Sequence, residues 1–188
     1  MNSLPRSFYS RDTVTVARAL LGKKLIRKIG NQKISGIITE TEAYRHTDDP
    51  ASHAFRRKTD RNKAMFEKVG CAYVYFTYGM YFCFNVVARN SKTEAGAVLI
   101  RAIQPKNGID IMKKNRQKET EKNLTNGPAK LTQAFEITKE QYGMDLTSNT
   151  ELFITEGLQK RKKIISNPRI GIREAVDNLW NFKIILDK

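Results

Sequence analysis

Glu40 and Glu42 stand two residues apart at the end of the apolar run KISGIIT, and Tyr44 follows at the same spacing. In extended backbone such positions point to one face, so the two carboxylates share a side of a strand beside an aromatic ring. Groups so placed can act as general acid or base. The same spacing also suits a solvated pair of strand-end glutamates, and spacing leaves both readings open. His53 lies in the loop beyond, where a lone imidazole can be plain polar surface. After it come Arg56, Arg57, Lys58, Arg61 and Lys63, with only Asp60 against them. That cluster suits contacts to phosphates or a solvated loop. Asn85 and Arg101 interrupt the apolar runs FCFNVVA and AVLIRA. A buried polar residue needs a partner, in the protein or in a ligand. Tyr73, Phe76, Phe82 and Phe84 alternate as core positions do. Tyr78, beside Gly79, sits where the chain must reach the surface, and in a basic protein it suits a wedge between bases.

The elements that must position these residues are legible in outline. Asp12 or Thr13 can cap a short helix with Val14, Ala17, Leu20 and Leu21 at helical spacing, ended by Gly22. Strands are predicted at Lys24–Ile29 and Lys33–Thr39 around the turn Gly30-Asn31, and the second runs on into the two glutamates. Residues 45–70 read as an ordered basic loop with one helical turn near Met65. Tyr73–Tyr78 and Tyr81–Ala88 form a second hairpin about Gly79. Ala97–Ala102 is apolar enough to be a central strand. Helices are predicted over Gly108–Asn115 and from Asn126-Gly127-Pro128, where Pro suits the first turn and Leu131, Ala134 and Phe135 share a face. Short strands are expected near Leu152–Ile154, Ile170–Ile172 and Phe182–Leu186. Strands dominate without regular strand–helix alternation. The expected class is therefore α+β, a single domain over 1–188 on a curved, mostly antiparallel sheet with surrounding helices and a protruding hairpin.

Composition narrows the function. In 188 residues, 34 Lys and Arg oppose 19 Asp and Glu, a net charge of +15 that points to a polyanionic partner. An ordinary basic protein with no such partner is the plainer alternative. Cys71 and Cys83 are the only thiols, which excludes a disulfide scaffold. No CxxC occurs, and His46 and His53 lie far from both cysteines, so no structural zinc is expected. The N-terminal MNSLPRSFYSRD lacks a secretory apolar stretch, and a reduced, cytoplasmic compartment is expected. Gly70–Ala88 is free of charge for nineteen residues, but tyrosines spread through its middle argue against a membrane span.

The chain resembles the alkyladenine (3-methyladenine) DNA glycosylase family, the group of the mammalian alkylpurine enzyme and its bacterial relatives. The segments that carry the likeness are ARALLGKKL at 17–25, ITETEAY at 38–44, ASHAF at 51–55, RNKAMF at 61–66, YVYFTYGMYFCFN at 73–85, AVLIRA at 97–102, NGPAKLTQA at 126–134 and PRIGI at 168–172. The resemblance implies a monofunctional base-excision enzyme that flips a damaged purine from duplex DNA and hydrolyses its N-glycosidic bond, leaving an abasic site. By matching position, Glu42 is the general base on the attacking water and Arg101 helps hold that water. Tyr44, His53 and Tyr75 match the residues around the flipped base, Asn85 the residue that disfavours guanine, and Tyr78 the residue that fills the gap in the minor groove. The expected partner is double-stranded DNA with alkylated, and also deaminated, purines. No cofactor, metal or membrane is expected; the protein is read as a monomer, at the nucleoid if its source is bacterial. The competing reading is a non-catalytic basic nucleic-acid-binding protein, which has no need of a carboxylate beside an aromatic slot.

Overall fold

A computed structural model describes residues 2–117, 119–159 and 163–186. Its frame is one eight-stranded sheet, built from β1 (Lys24–Ile29), β2 (Gln32–Tyr44), β3 (Ala72–Thr77), β4 (Tyr81–Val87), β5 (Ala97–Asn107), β6 (Leu152–Thr155), β7 (Ile164–Asn167) and β8 (Asn181–Ile184). The main order is β3-β4-β5-β2-β1-β6, β8 joins β2 to β7, and every pairing is antiparallel. The helices among the described residues are α1 (Arg6–Tyr9), α2 (Thr13–Leu20), α3 (Ile109–Asn115) and α4 (Pro128–Ala134). This is the expected α+β class on a curved antiparallel sheet. Among the described residues no helix is long and apolar enough to cross a membrane, and the uncharged run at 70–88 forms β3 and β4.

Eight residues make too short a helix to persist in water, so α2 depends on its cap and its packing. Asp12 Oδ1 accepts from the backbone N–H groups of Val14 and Thr15 at 3.0 and 3.1 Å, a cap contributing about 1 kcal/mol. Val16, Ala17 and Leu20 face the sheet; Val14 and Leu21, expected in that stripe, are only partly covered. Together with Leu131 of α4 and Phe135 at its C-cap they bury Ile38, Phe84, Val86, Val98 and Ile100. Burying a side chain of this size stabilises by roughly 1.5–3 kcal/mol. Thr41 then donates its hydroxyl to the Ala17 carbonyl at 2.8 Å, tying α2 to the segment that carries Glu40 and Glu42.

β2 runs on past Lys33–Thr39 through Glu40 to Tyr44, as expected, and its far half pairs on both edges. β5 runs along one edge, while β1 covers Gln32–Ile37 and β8 covers Glu40–Glu42 on the other. The ladder to β5 is irregular at Ser35/Gly36 and on both sides of Glu40. Such irregularities bend and twist a strand, and the bend carries β2 from one neighbour to the next. At Gly36 the strands come so close that a Cβ would lie 2.6 Å from the Gln104 carbonyl oxygen.

Two expectations need correcting. Ile170–Ile172 is a turn, not a strand: Gly171 sits at φ +79°, and the Ile170 N–H is spent on the Glu42 carboxylate rather than on a ladder. The strand of this region is β7, and β8 begins one residue before the expected start at Phe182. Phe76 is the second, being 50% exposed on the hairpin, whereas Tyr73 and Phe84 are buried as expected. The 45–70 loop is ordered, with a 3-10 turn at Lys63–Phe66. Ala54, Ala64 and Met65 pack with Tyr73, Val87 and Ala97 in a second small core. Asn62 ties the loop further, donating to the carbonyls of His53 and Arg57 at 2.7 and 2.9 Å.

Candidate active site

Glu42 is fully buried. An isolated carboxylate there would be costly, and the sequence supplies four donors to it. Oε1 accepts from the Ile170 backbone N–H at 2.8 Å and from Asn181 Nδ2 at 3.1 Å. Oε2 accepts from the Tyr44 hydroxyl at 2.9 Å and from Arg101 Nη1 at 3.2 Å. Glu40 lies on the same face, as its spacing requires: Arg101 Nε is 3.3 Å from Glu40 Oε1, and Asn181 Nδ2 donates to that oxygen at 2.9 Å. The Arg101–Glu40 contact is an ion pair without hydrogen-bond geometry. The bends around Glu40 set Arg101 of β5 between the two carboxylates of β2.

In front of this cluster is a cavity of about 330 Å³. Tyr44, His53, Tyr73, Tyr75, Asn85, Arg101 and Ile170 are among its lining; Glu42 stands behind three of them. β3 and β4 supply one wall, since Tyr75 pairs with Cys83 and Tyr73 with Asn85 across the ladder. His53 reaches that wall from the loop. Its Nδ1 is 2.9 Å from the Tyr73 hydroxyl, and its ring meets Tyr75 edge-on at 4.7 Å between centroids. Asn85, 3% exposed, donates Nδ2 to the Tyr73 carbonyl at 3.0 Å, which answers the partner its burial demands.

The electrostatics favour neutral groups on this wall. His53 is exposed as a residue, but the covering of its ring by Tyr73 and Tyr75, and then Arg61, hold the imidazole below its usual value. Burial first, and then the Glu42 charge, push the Tyr44 hydroxyl well above the phenol range, so it remains a donor. Burial likewise raises Tyr73, Tyr75 and the Cys83 thiol. An aromatic cavity of uncharged rings, with a carboxylate behind it, can accept a flat cationic ligand.

Tyr78 stands at the tip of the β3–β4 hairpin and is 87% exposed. Its φ is +52°, and Gly79 beside it has +68°. A tyrosine in the left-handed region is strained, and strain held without packing is a mark of function. The loop cations Arg56, Arg57, Lys58, Arg61 and Lys63 are all exposed. Arg56, Arg57 and Arg61 line a shallow groove that adjoins the cavity at His53, and Arg173 closes it from the opposite side. Arg61 also lies over the Tyr75 ring, 5.4 Å from its centroid, so it belongs partly to the aromatic wall.

The structure thus brings Glu42, Tyr44, His53, Tyr75, Asn85 and Arg101 to one place, with Tyr78 at its rim. Lys58 and Lys63 lie outside the groove's lining. Sequence reasoning missed Asn181, Arg173, the Ile170 amide and a buried pair, Arg169 and Asp49. Arg169 grips both Asp49 oxygens at 2.7 Å and lies 4.8 Å from the Tyr44 ring and 5.2 Å from the Trp180 ring. The motif PRIGI contains Arg169 and Ile170, but nothing in it says that one braces Tyr44 while the other offers its backbone to Glu42.

Residues 7–187 match the family model described as methylpurine-DNA glycosylase. A protein of Clostridium acetobutylicum is 47% identical over 193 residues, covering 96% of this chain and 93% of its own length. One of Carboxydothermus hydrogenoformans is 48% identical over 180 residues, covering 95% and 93%. One of Bacillus mycoides is 47% identical over 192 residues, covering 95% and 94%. All three are named, provisionally, 3-methyladenine DNA glycosylases.

Proposed function

Because this chain belongs to the methylpurine-DNA glycosylase family, we propose that it takes an alkylated purine out of duplex DNA and hydrolyses its N-glycosidic bond with a water activated by Glu42. The observation that carries this reading is a fully buried carboxylate, held by four donors, directly behind an aromatic cavity. Purines alkylated at N3 or N7 carry positive charge. Between Tyr44, His53 and Tyr75 such a base gains about 0.5–2 kcal/mol over a neutral one, and a neutral His53 adds no repulsion.

Of the four donors to Glu42, Arg101 makes the longest contact, and it lines the cavity. A water entering beside Arg101 replaces that contact, attacks C1′ and gives its proton to Glu42 Oε2. The electron pair of the breaking bond leaves with the purine, which departs as a neutral base when it was cationic. As that bond lengthens positive charge develops on the sugar, and the fixed carboxylate stabilises it before it takes the proton. No lysine is among the described residues that line the cavity, and arginine stays protonated. With no amine to form a Schiff base, the product is an intact strand with an abasic site. Asn85 disfavours neutral guanine by setting an amide N–H against its 2-amino group, a cost that the cation–π gain of 7-methylguanine offsets; hypoxanthine, a deaminated adenine without that group, is admitted. Tyr78 enters the minor groove and fills the vacated place in the stack. Arg56, Arg57, Lys58, Arg61 and Lys63 meet phosphates.

The test is incubation with duplexes carrying one 7-methylguanine or one hypoxanthine. Alkali-labile abasic sites should appear at the lesion and no strand break before alkali, with no covalent complex trapped by borohydride. Intact lesions, or a trapped adduct, would overturn the reading.

A further inference from the structure

We propose that Asn181 and Glu40 are positioning residues, which hold Glu42 and Arg101 in working geometry; the proposal rests on the reading of Glu42 as the base. Asn181 lies 139 residues beyond Glu42 in the chain and is 2% exposed. Its Nδ2 reaches Glu40 Oε1 at 2.9 Å and Glu42 Oε1 at 3.1 Å. An amide nitrogen carries two N–H groups, one for each carboxylate. The side chain therefore cannot turn without leaving a buried carboxylate oxygen short of a donor.

Glu40 acts on Arg101. A guanidinium that faces a single carboxylate tends to take it with two nitrogens. Here Nε is drawn to Glu40 at 3.3 Å, and only Nη1 is placed on Glu42, at 3.2 Å. Arg101 is thus divided between two carboxylates, and Oε2 is not closed off by a two-pronged pair. Asn181 and the Ile170 amide fix Oε1 meanwhile, leaving Oε2 as the oxygen that faces Arg101. The ring Glu40, Arg101, Glu42 and Asn181 joins β2, β5 and β8 where β2 changes neighbours. Neither Asn181 nor Glu40 lines the cavity, so neither is assigned a contact to the base.

The experiment measures single-turnover excision and lesion-DNA affinity side by side, with thermal melting to establish folding. Asn181→Asp keeps the shape and removes both donors; Asn181→Ala removes the group. A displacement of about 1 Å at a reacting group can cost about 10²-fold, so a rate loss of about 10- to 100-fold is expected at unchanged affinity. On a Glu42→Gln background the same substitutions should cost nothing further, because they act through Glu42. Glu40→Gln, which keeps an acceptor for Asn181 and removes the charge drawing Arg101, should also lose rate at unchanged affinity. It carries the test by itself if both Asn181 variants fail to fold. Folded variants with wild-type rates would overturn the proposal. So would equal losses on the Glu42→Gln background, or losses in affinity that account for the rate. If instead Glu42→Gln alone excises at nearly the wild-type rate, the assignment of the base is what fails.

Discussion

In the proposed reading, a histidine on the wall of a site for cationic bases must stay uncharged to be useful. His53 is held below the ordinary imidazole value by the burial of its ring and then by Arg61. In the folded protein it therefore takes up a proton only at a pH lower than in the unfolded chain. The unfolded state binds more protons in that interval, so stability falls as pH drops below about 6.5 and levels off beneath the folded value. Activity should follow the same group. Excision of cationic 7-methylguanine is expected to decline on acidification more steeply than excision of neutral hypoxanthine, because an imidazolium repels only the first. His53→Gln should remove that difference. Parallel pH profiles for the two lesions in the wild-type protein would count against His53 as a wall of the base site.

The hairpin of β3 and β4 serves two ends: its base builds the cavity wall and its tip lifts Tyr78 clear of the body. Tyr78→Ser removes an aromatic that packs against little and relaxes no core, so folding should be unaffected. Flipping a base costs a few kcal/mol of unstacking, and in its proposed role Tyr78 offsets part of it. The variant is expected to lose affinity for a paired lesion, while excision from single-stranded or mismatched sites, where the base is already loose, changes less. A fall in thermal stability of the size seen for core truncations, about 2–5 kcal/mol, would mean that the tip is packed after all. At this scale the sequence was informative where periodicity and turn residues act locally. Gly30-Asn31 and Gly79 mark both hairpins, and Asp12 caps α2 as expected. It was silent where an element exists through a distant partner. The groups opposite Glu42 come from Ile170 and Asn181, more than a hundred positions away, and β8 meets β2 across the same distance. Alternation also misleads in the tail, where Ile-Gly-Ile reads as strand although its first amide is spent on a carboxylate and its glycine needs a positive φ.

Over the whole molecule, a charge of +15 favours approach to any duplex before a lesion is found. The exposed cations beside the cavity place part of that charge where the strand would pass. Binding to undamaged duplex should weaken linearly in log[salt], with about −0.9 in slope for each phosphate met. Arg57→Ala with Lys58→Ala is expected to flatten that slope by about 2. An unchanged slope would remove this loop from the DNA interface. Everything else in the assembly, from the bent β2 to the braced Tyr44, converges on one buried carboxylate. The direct measurement is therefore single-turnover excision of 7-methylguanine by Glu42→Gln, with affinity for the same duplex recorded alongside. Glutamine keeps the shape and cannot take the proton. Excision should fall by about 10²–10⁴-fold while the damaged duplex is still bound. Excision by the folded variant at nearly the wild-type rate would contradict Glu42 as the base.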